Sequence, residues 1–153
     1  MGGKLPQRHA VEIRLETQRT MHENEISFLI RKAAFEVHTV LGPGLLESVY
    51  ETALTYELRE AGLDVKAQVP LPMCYKGVTI EVGFRMDLLV ADRVVVEVKS
   101  VDTILEVHHM QLLTYLNLSG HKLGLLINFN VPRVKEGIFR KVNGLEEPLR
   151  TSA

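Results

Sequence analysis

The sequence predicts an α/β sandwich with a central mixed β-sheet flanked by helices. Three observations lead there. Two segments of helical period come before any strand. A long apolar hairpin follows, Phe84 to Lys99. Then a helix-length segment separates the hairpin from another buried strand. A strand–helix–strand crossover of that kind implies parallel pairing, whereas the hairpin is antiparallel, so the sheet is mixed.

The elements are expected in the following order. Residues 1–24 read as a polar N-terminal tail, helical at most in part, with weak periodicity at Val11, Ile13 and Leu15. A first helix is expected from about Glu25 to Val40, because Ile26, Leu29, Ile30, Ala33, Ala34, Val37 and Val40 form a stripe of period 3.6. Gly42-Pro43-Gly44 ends it. A second helix should run from Leu45 or Leu46 to Ala61, with Leu46, Val49, Tyr50, Ala53, Leu54 and Leu58 inward and Gly62 as its stop. Leu63 to Leu71 reads as a strand with Val65, Ala67, Val69 and Leu71 on one face. Pro70 and Pro72 make it an edge or a bend. A turn at Tyr75 to Val78 leads to a short strand, Val78 to Val82. A third helix is expected from Leu105 to Leu118, stopped by Gly120. Lys122 to Phe129 reads as a buried strand and Ile138 to Val142 as a last short one. The domain is thus expected over 25–144, with a C-terminal tail at 145–153.

At 153 residues the chain has the material for one well-filled core. No run is long enough to span a membrane and the N-terminus lacks a secretion signal, so no membrane partner is expected. The single Cys74 excludes an internal disulfide and fits a reducing cytoplasm. Net charge is −1, which gives no global nucleic-acid signature. The charge is uneven, however. Residues 33–120 carry twelve acids against six bases, while the two flanking stretches are basic.

The hairpin holds three charges that an apolar strand pair does not want: Asp87, Glu97 and Lys99. Buried charges need a partner or a metal. Parity places Glu97 and Lys99 on one face. If Ala91-Asp92-Arg93 is a three-residue turn, Val90 faces Val94 and Asp87 faces Glu97. Opposed Cβ atoms then lie roughly 4.5–5.5 Å apart, close enough for two carboxylates to share a divalent cation. A two-residue turn would put Asp87 opposite Val96, unless a bulge restores it. The plain alternative is a buried ion network of Asp87, Glu97, Lys99 and Arg85.

Asp87 followed across a hairpin by Glu97-Val98-Lys99 resembles the PD-(D/E)XK nuclease superfamily, with Met86 where the motif name has Pro. Gly44-Leu45-Leu46-Glu47-Ser48-Val49-Tyr50 reads G-x-x-E-x-x-Y on a helix ahead of the hairpin, the motif of the GxxExxY branch. Gln111 and Tyr115 on the third helix resemble the Q-x-x-x-Y pattern of RecB-like members.

The resemblance covers about residues 25–144. It implies a restriction-endonuclease-like core and a metal-dependent nuclease that hydrolyses phosphodiester bonds in DNA or RNA. Asp87, Glu97 and the backbone carbonyl of Val98 would hold Mg²⁺ or Mn²⁺. Lys99 would orient or deprotonate the water or stabilise the phosphate, and Glu47 would add a carboxylate. Gln111 and Tyr115 would contact phosphate or position Lys99. The alternative reading is a catalytically silent nucleic-acid or protein binding module on the same fold. No recognition domain is evident, so specificity would come from the loops, a homodimer or a protein partner. Tyr50 reads as core, the Gly42-Pro43-Gly44 loop as a helix break rather than an anion site, and His109 as a surface residue. His108 shares the Gln111 face.

Overall fold

A computed structural model describes residues 7–81 and 83–148, with Arg19 described by its backbone alone. It contains α1 (Gln7–Thr20), α2 (Glu23–Leu41), α3 (Glu47–Glu60), β1 (Val65–Pro70), β2 (Met73–Tyr75), β3 (Val78–Ile80), β4 (Arg85–Val90), β5 (Val94–Lys99), α4 (Glu106–Ser119), β6 (Leu123–Asn128), a 3₁₀ turn (Val134–Gly137) and β7 (Ile138–Val142). Five strands form one mixed sheet in the order β1-β4-β5-β6-β7. β5 and β6 are parallel and the other neighbours antiparallel, as the crossover required.

Two apolar layers sandwich the sheet. On one face Ile26, Ile30, Ala34 and Val37 of α2 and Tyr50, Leu54 and Leu58 of α3 meet Leu88, Val94, Val96, Leu125 and Ile127. On the other, Leu112, Tyr115 and Leu116 of α4 meet Leu89, Val95 and Leu126. β6 is buried along its whole length, which explains its unbroken apolar run. His22 starts α2 by accepting the Asn24 N–H on Nδ1. Tyr50 is core, as expected: it stacks on Phe129 at 4.6 Å, and its hydroxyl donates to the Gly42 carbonyl.

Four expectations are corrected. Residues 7–20 of the expected tail are helical throughout and not merely in part. Their polar surface hides the helix from any apolar period, and among its described side chains only Gln18 is buried. Leu46, Val49 and Val40 are exposed, because Leu46 precedes the first turn of α3 and the other two line an open groove between α2 and α3. Met73–Tyr75 is a further strand, paired with β3 through Lys76 and Gly77, both at positive φ, in a ribbon apart from the main sheet. The expected end of β3 at Val82 lies outside the described residues, as do 1–6 and 149–153 of the two tails.

The fourth correction concerns β1, whose alternation breaks. Val65 packs on the α2–α3 face, but Val69 and Leu71 pack on the α4 face. Gln68 between them has φ +53, and this left-handed residue turns the strand over. The partner strand turns with it: Leu88 faces α2 and α3, while Met86 packs with the α4 layer.

Candidate active site

Asp87 lies at that reversal. Its strand pairs with β5 through Val90↔Val94, Leu89↔Val95 and Leu88↔Val96, the register of a three-residue turn. Beyond Leu88 the side chains replace the ladder. The Asp87 N–H donates to Glu97 Oε1 at 3.0 Å, and the Val98 N–H donates to Asp87 Oδ2 at 2.8 Å. The two carboxyl groups are thereby interlocked. Glu97 is 3% exposed, Asp87 and Lys99 half-buried. A strand residue turns its N–H and C=O to the same edge, so the Val98 carbonyl also faces β4 and the carboxylates.

Burial, then the Asp87 charge, pushes the Glu97 carboxyl up to about 9, against the pull of the Asp87 N–H and Lys99. Without a cation, burial and the neighbouring charge thus favour the protonated form of Glu97. Burial and then Glu97 and Asp87 raise the Tyr115 phenol, which accepts from Gln111 Nε2 at 2.8 Å and meets Phe84 edge-on. Tyr115 thus lies within electrostatic reach of both carboxyls, with Gln111 bonded to it.

Glu47 opens α3 and reaches the end of β5. Its Oε1 accepts the Ser100 N–H at 3.3 Å, while Ser100 Oγ donates to the Leu45 carbonyl at 2.6 Å. The connection after Lys99 is held from the other side by buried Asn128, whose side-chain amide exchanges both hydrogen bonds with the Val101 backbone at 3.1 and 2.9 Å. Val101 is thus fixed two residues beyond Lys99.

Sequence reasoning missed two residues here. Glu51, one turn after Glu47, is raised by burial and by the charges of Asp87 and Glu47, and lowered by Gln68. Gln68 Nε2 donates to both Glu51 carboxylate oxygens at 3.0 Å. The i, i+4 spacing of Glu47 and Glu51 was a signal for the first. Nothing in the sequence marks Gln68. The two histidines of α4 have separate local roles. His108 turns back on its own helix, where Nδ1 accepts the Leu105 N–H. His109, expected at the surface, is half-buried. Its ring packs edge-on against Phe139, with Nδ1 buried and unbonded among the described residues.

Among the described residues no three His, Cys, Asp or Glu side chains gather around one point that could hold a metal. Two interlocked carboxyls and a backbone carbonyl are nonetheless a hard-oxygen donor set. Mg²⁺ needs no more, since it usually keeps several waters and takes one or two carboxylates with substrate phosphates. The residues present therefore fit such an ion.

A mixed sheet whose central hairpin carries acid, acid and lysine at one end, between helical layers, defines a nuclease-like α/β domain. A family model described as the PD-(D/E)XK nuclease superfamily matches residues 24–141, and the chain belongs to that superfamily. Comparison with curated proteins and with solved structures returned no significant match. Among the described residues no helix is long and apolar enough to cross a membrane.

Proposed function

We propose that this chain is a nuclease of the GxxExxY kind, dependent on Mg²⁺ or Mn²⁺, that hydrolyses phosphodiester bonds in DNA or RNA. The observation that carries the reading is the interlock of Asp87 and Glu97 through the Asp87 and Val98 N–H groups. Burial and the Asp87 charge push the Glu97 carboxyl toward its protonated form, which a cation would oppose. Asp87, Glu97 and the Val98 carbonyl would hold the ion. When bound, the ion supplies Lewis-acid stabilisation of the phosphate and makes water a better nucleophile.

The remaining steps belong to the chain. Lys99, next on the Glu97 face, directs the water at phosphorus or takes its proton. Glu47 supports the site from the start of α3. Gln111 and the Tyr115 hydroxyl, joined to one another, border the site on the α4 side and contact the phosphate or position Lys99. The water oxygen bonds to phosphorus as the leaving oxygen departs, in one displacement. The functional domain is proposed as residues 25–144.

Calorimetric titration with Mn²⁺ tests this, comparing wild type with Asp87→Ala, followed by cleavage assays on mixed DNA and RNA. The expected result is cation binding and cleavage that Asp87→Ala removes together. Lys99→Ala should keep cation binding and lose cleavage by about 100-fold or more. Cation binding without cleavage in wild type would favour the silent binding module. No cation binding would reduce the carboxyl pair to a structural feature.

A further inference from the structure

The outer face of α2 carries residues that the fold does not use. Its inward stripe is Ile26, Ile30, Ala33, Ala34 and Val37. At 100° per residue, Phe28, Arg31, Lys32 and Phe35 lie together on the opposite side. Phe28 is 67% exposed and Phe35 47%. Seven residues apart, the two rings stand about 10 Å from one another along the axis. A helix that has already buried its apolar stripe gains nothing in the fold from rings left in water.

The cations between the rings are equally unspent. Among the described residues neither Arg31 nor Lys32 enters an ion pair, whereas Lys66, Arg93 and Arg140 each have a carboxylate partner. His38, seven residues after Arg31 and so on the same side, bonds the Val131 carbonyl through Nε2 at 2.7 Å. The 3₁₀ turn just beyond Val131 packs on α2. That segment brings Arg133 and Lys135, which also lack an ion-pair partner among the described residues. Two bases from each basic flank of the sequence thus lie on α2 and on the segment packed against it. Lys32 stands at the α3 edge of the stripe, where it shares a hollow between the helices with Glu36 and Glu57, and Glu25 and Glu36 border the stripe on that side.

We propose that this stripe binds single-stranded nucleic acid and leads it toward the carboxylates. Phe28 and Phe35 stack on bases, and Arg31 and Lys32 contact phosphates. Exposed rings interleaved with cations are a stacking platform, and only an unpaired strand offers free base faces to it. The direction is right as well. α2 runs on into Gly42 and Leu45, and the Leu45 carbonyl holds Ser100 beside Lys99. The inference rests on the nuclease reading for what happens at the end of the strand, and stands apart from it for the binding.

Fluorescence anisotropy with a labelled oligothymidylate and a duplex of equal length, in EDTA over a salt series, tests it. The variants are Phe28→Ala/Phe35→Ala and Arg31→Gln/Lys32→Gln, surface changes whose folding is checked by circular dichroism. Removing the rings should weaken single-strand binding by about tenfold or more and leave the salt slope alone. Removing the two charges should lower the slope by about 1.4. In parallel, hydrolysis of a p-nitrophenyl ester of thymidine monophosphate, too small to reach the stripe, should be unchanged in both variants and lost in Asp87→Ala. No oligonucleotide binding by wild type, equal binding by the variants, or preference for duplex would overturn the proposal. So would a change in sedimentation with unchanged oligonucleotide binding, which would mark a protein interface. If the small ester is never hydrolysed but ring removal abolishes strand binding, the nuclease reading fails and this one stands.

Discussion

Glu97 is held in place by the same groups that make its charge costly. Its carboxyl accepts from the Asp87 backbone, and burial together with the Asp87 charge raises it to about 9. Because that value lies above the ordinary 4.5, Glu97 favours the fold most fully below pH 4.5 and loses the contribution as pH climbs through about 9. The loss is bounded by one proton, at most about 1.4 kcal/mol per pH unit. In EDTA, wild-type melting temperature should therefore fall from mildly acidic to mildly alkaline pH, and Glu97→Gln should flatten the decline, since an amide keeps the neutral form. Added Mn²⁺ should raise the wild-type melting temperature more at the alkaline end and leave Glu97→Gln nearly unmoved. Thermal melts at several pH values, with and without the ion, check both. Identical pH profiles for the two proteins would mean that Glu97 is charged in the fold. At this scale the sequence was legible as far as the three-residue turn, which brings Asp87 level with Glu97; the reversal at Asp87, where the ladder gives way to side-chain bonds, was not. Gln68 was illegible because a left-handed φ leaves no trace in residue type when the residue is not glycine.

Among the elements, β1 and β4 do more than pair. Both cross from one apolar layer to the other around Gln68 and Asp87, so the site opens to α3 and α4 at once. That is how Glu51 and Tyr115, on helices of opposite layers, both feel Asp87. The reversal requires Gln68 to hold φ +53, a conformation β-branched residues resist. Gln68→Val should cost about 1–2 kcal/mol and weaken Mn²⁺ binding. Gln68→Gly should be near neutral in stability, as freedom at positive φ offsets the lost bond to Glu51, and should keep the cation. Urea unfolding and calorimetry on the pair separate backbone from side chain. If both variants bound Mn²⁺ alike, the reversal would not govern the site. The strands and helices that bury one clean stripe were readable from period alone, as were the crossover between β5 and β6 and the closing strand β7. β1 misled because Val65, Ala67, Val69 and Leu71 alternate in sequence while the backbone between them does not.

At the scale of the molecule, α1 is the part with least claim on the core. Val11, Ile13 and Leu15 are 56%, 47% and 44% exposed. A lone helix of this length is marginal in water, so what docks it matters. Gln18 does: its Nε2 donates to the Gly62 carbonyl and its Oε1 accepts the Asp64 N–H, both at 2.8 Å, bridging the link between α3 and β1. Those two bonds hold a loop that the sheet already anchors at Val65, and the family match begins only at residue 24. A chain starting at Met21 should therefore fold, bind Mn²⁺ and cut as the full chain does, with stability lower by roughly 2 kcal/mol for two hydrogen bonds. Gln18→Ala in the full chain should reproduce most of that loss, because the rest of α1 contributes little packing. Urea denaturation of the three proteins, with cleavage rates measured alongside, decides the matter. A truncated chain that failed to fold would put α1 inside the domain and move its proposed start from residue 25 back to residue 7. A Gln18→Ala protein as stable as wild type would place the attachment in the apolar contacts of α1 instead.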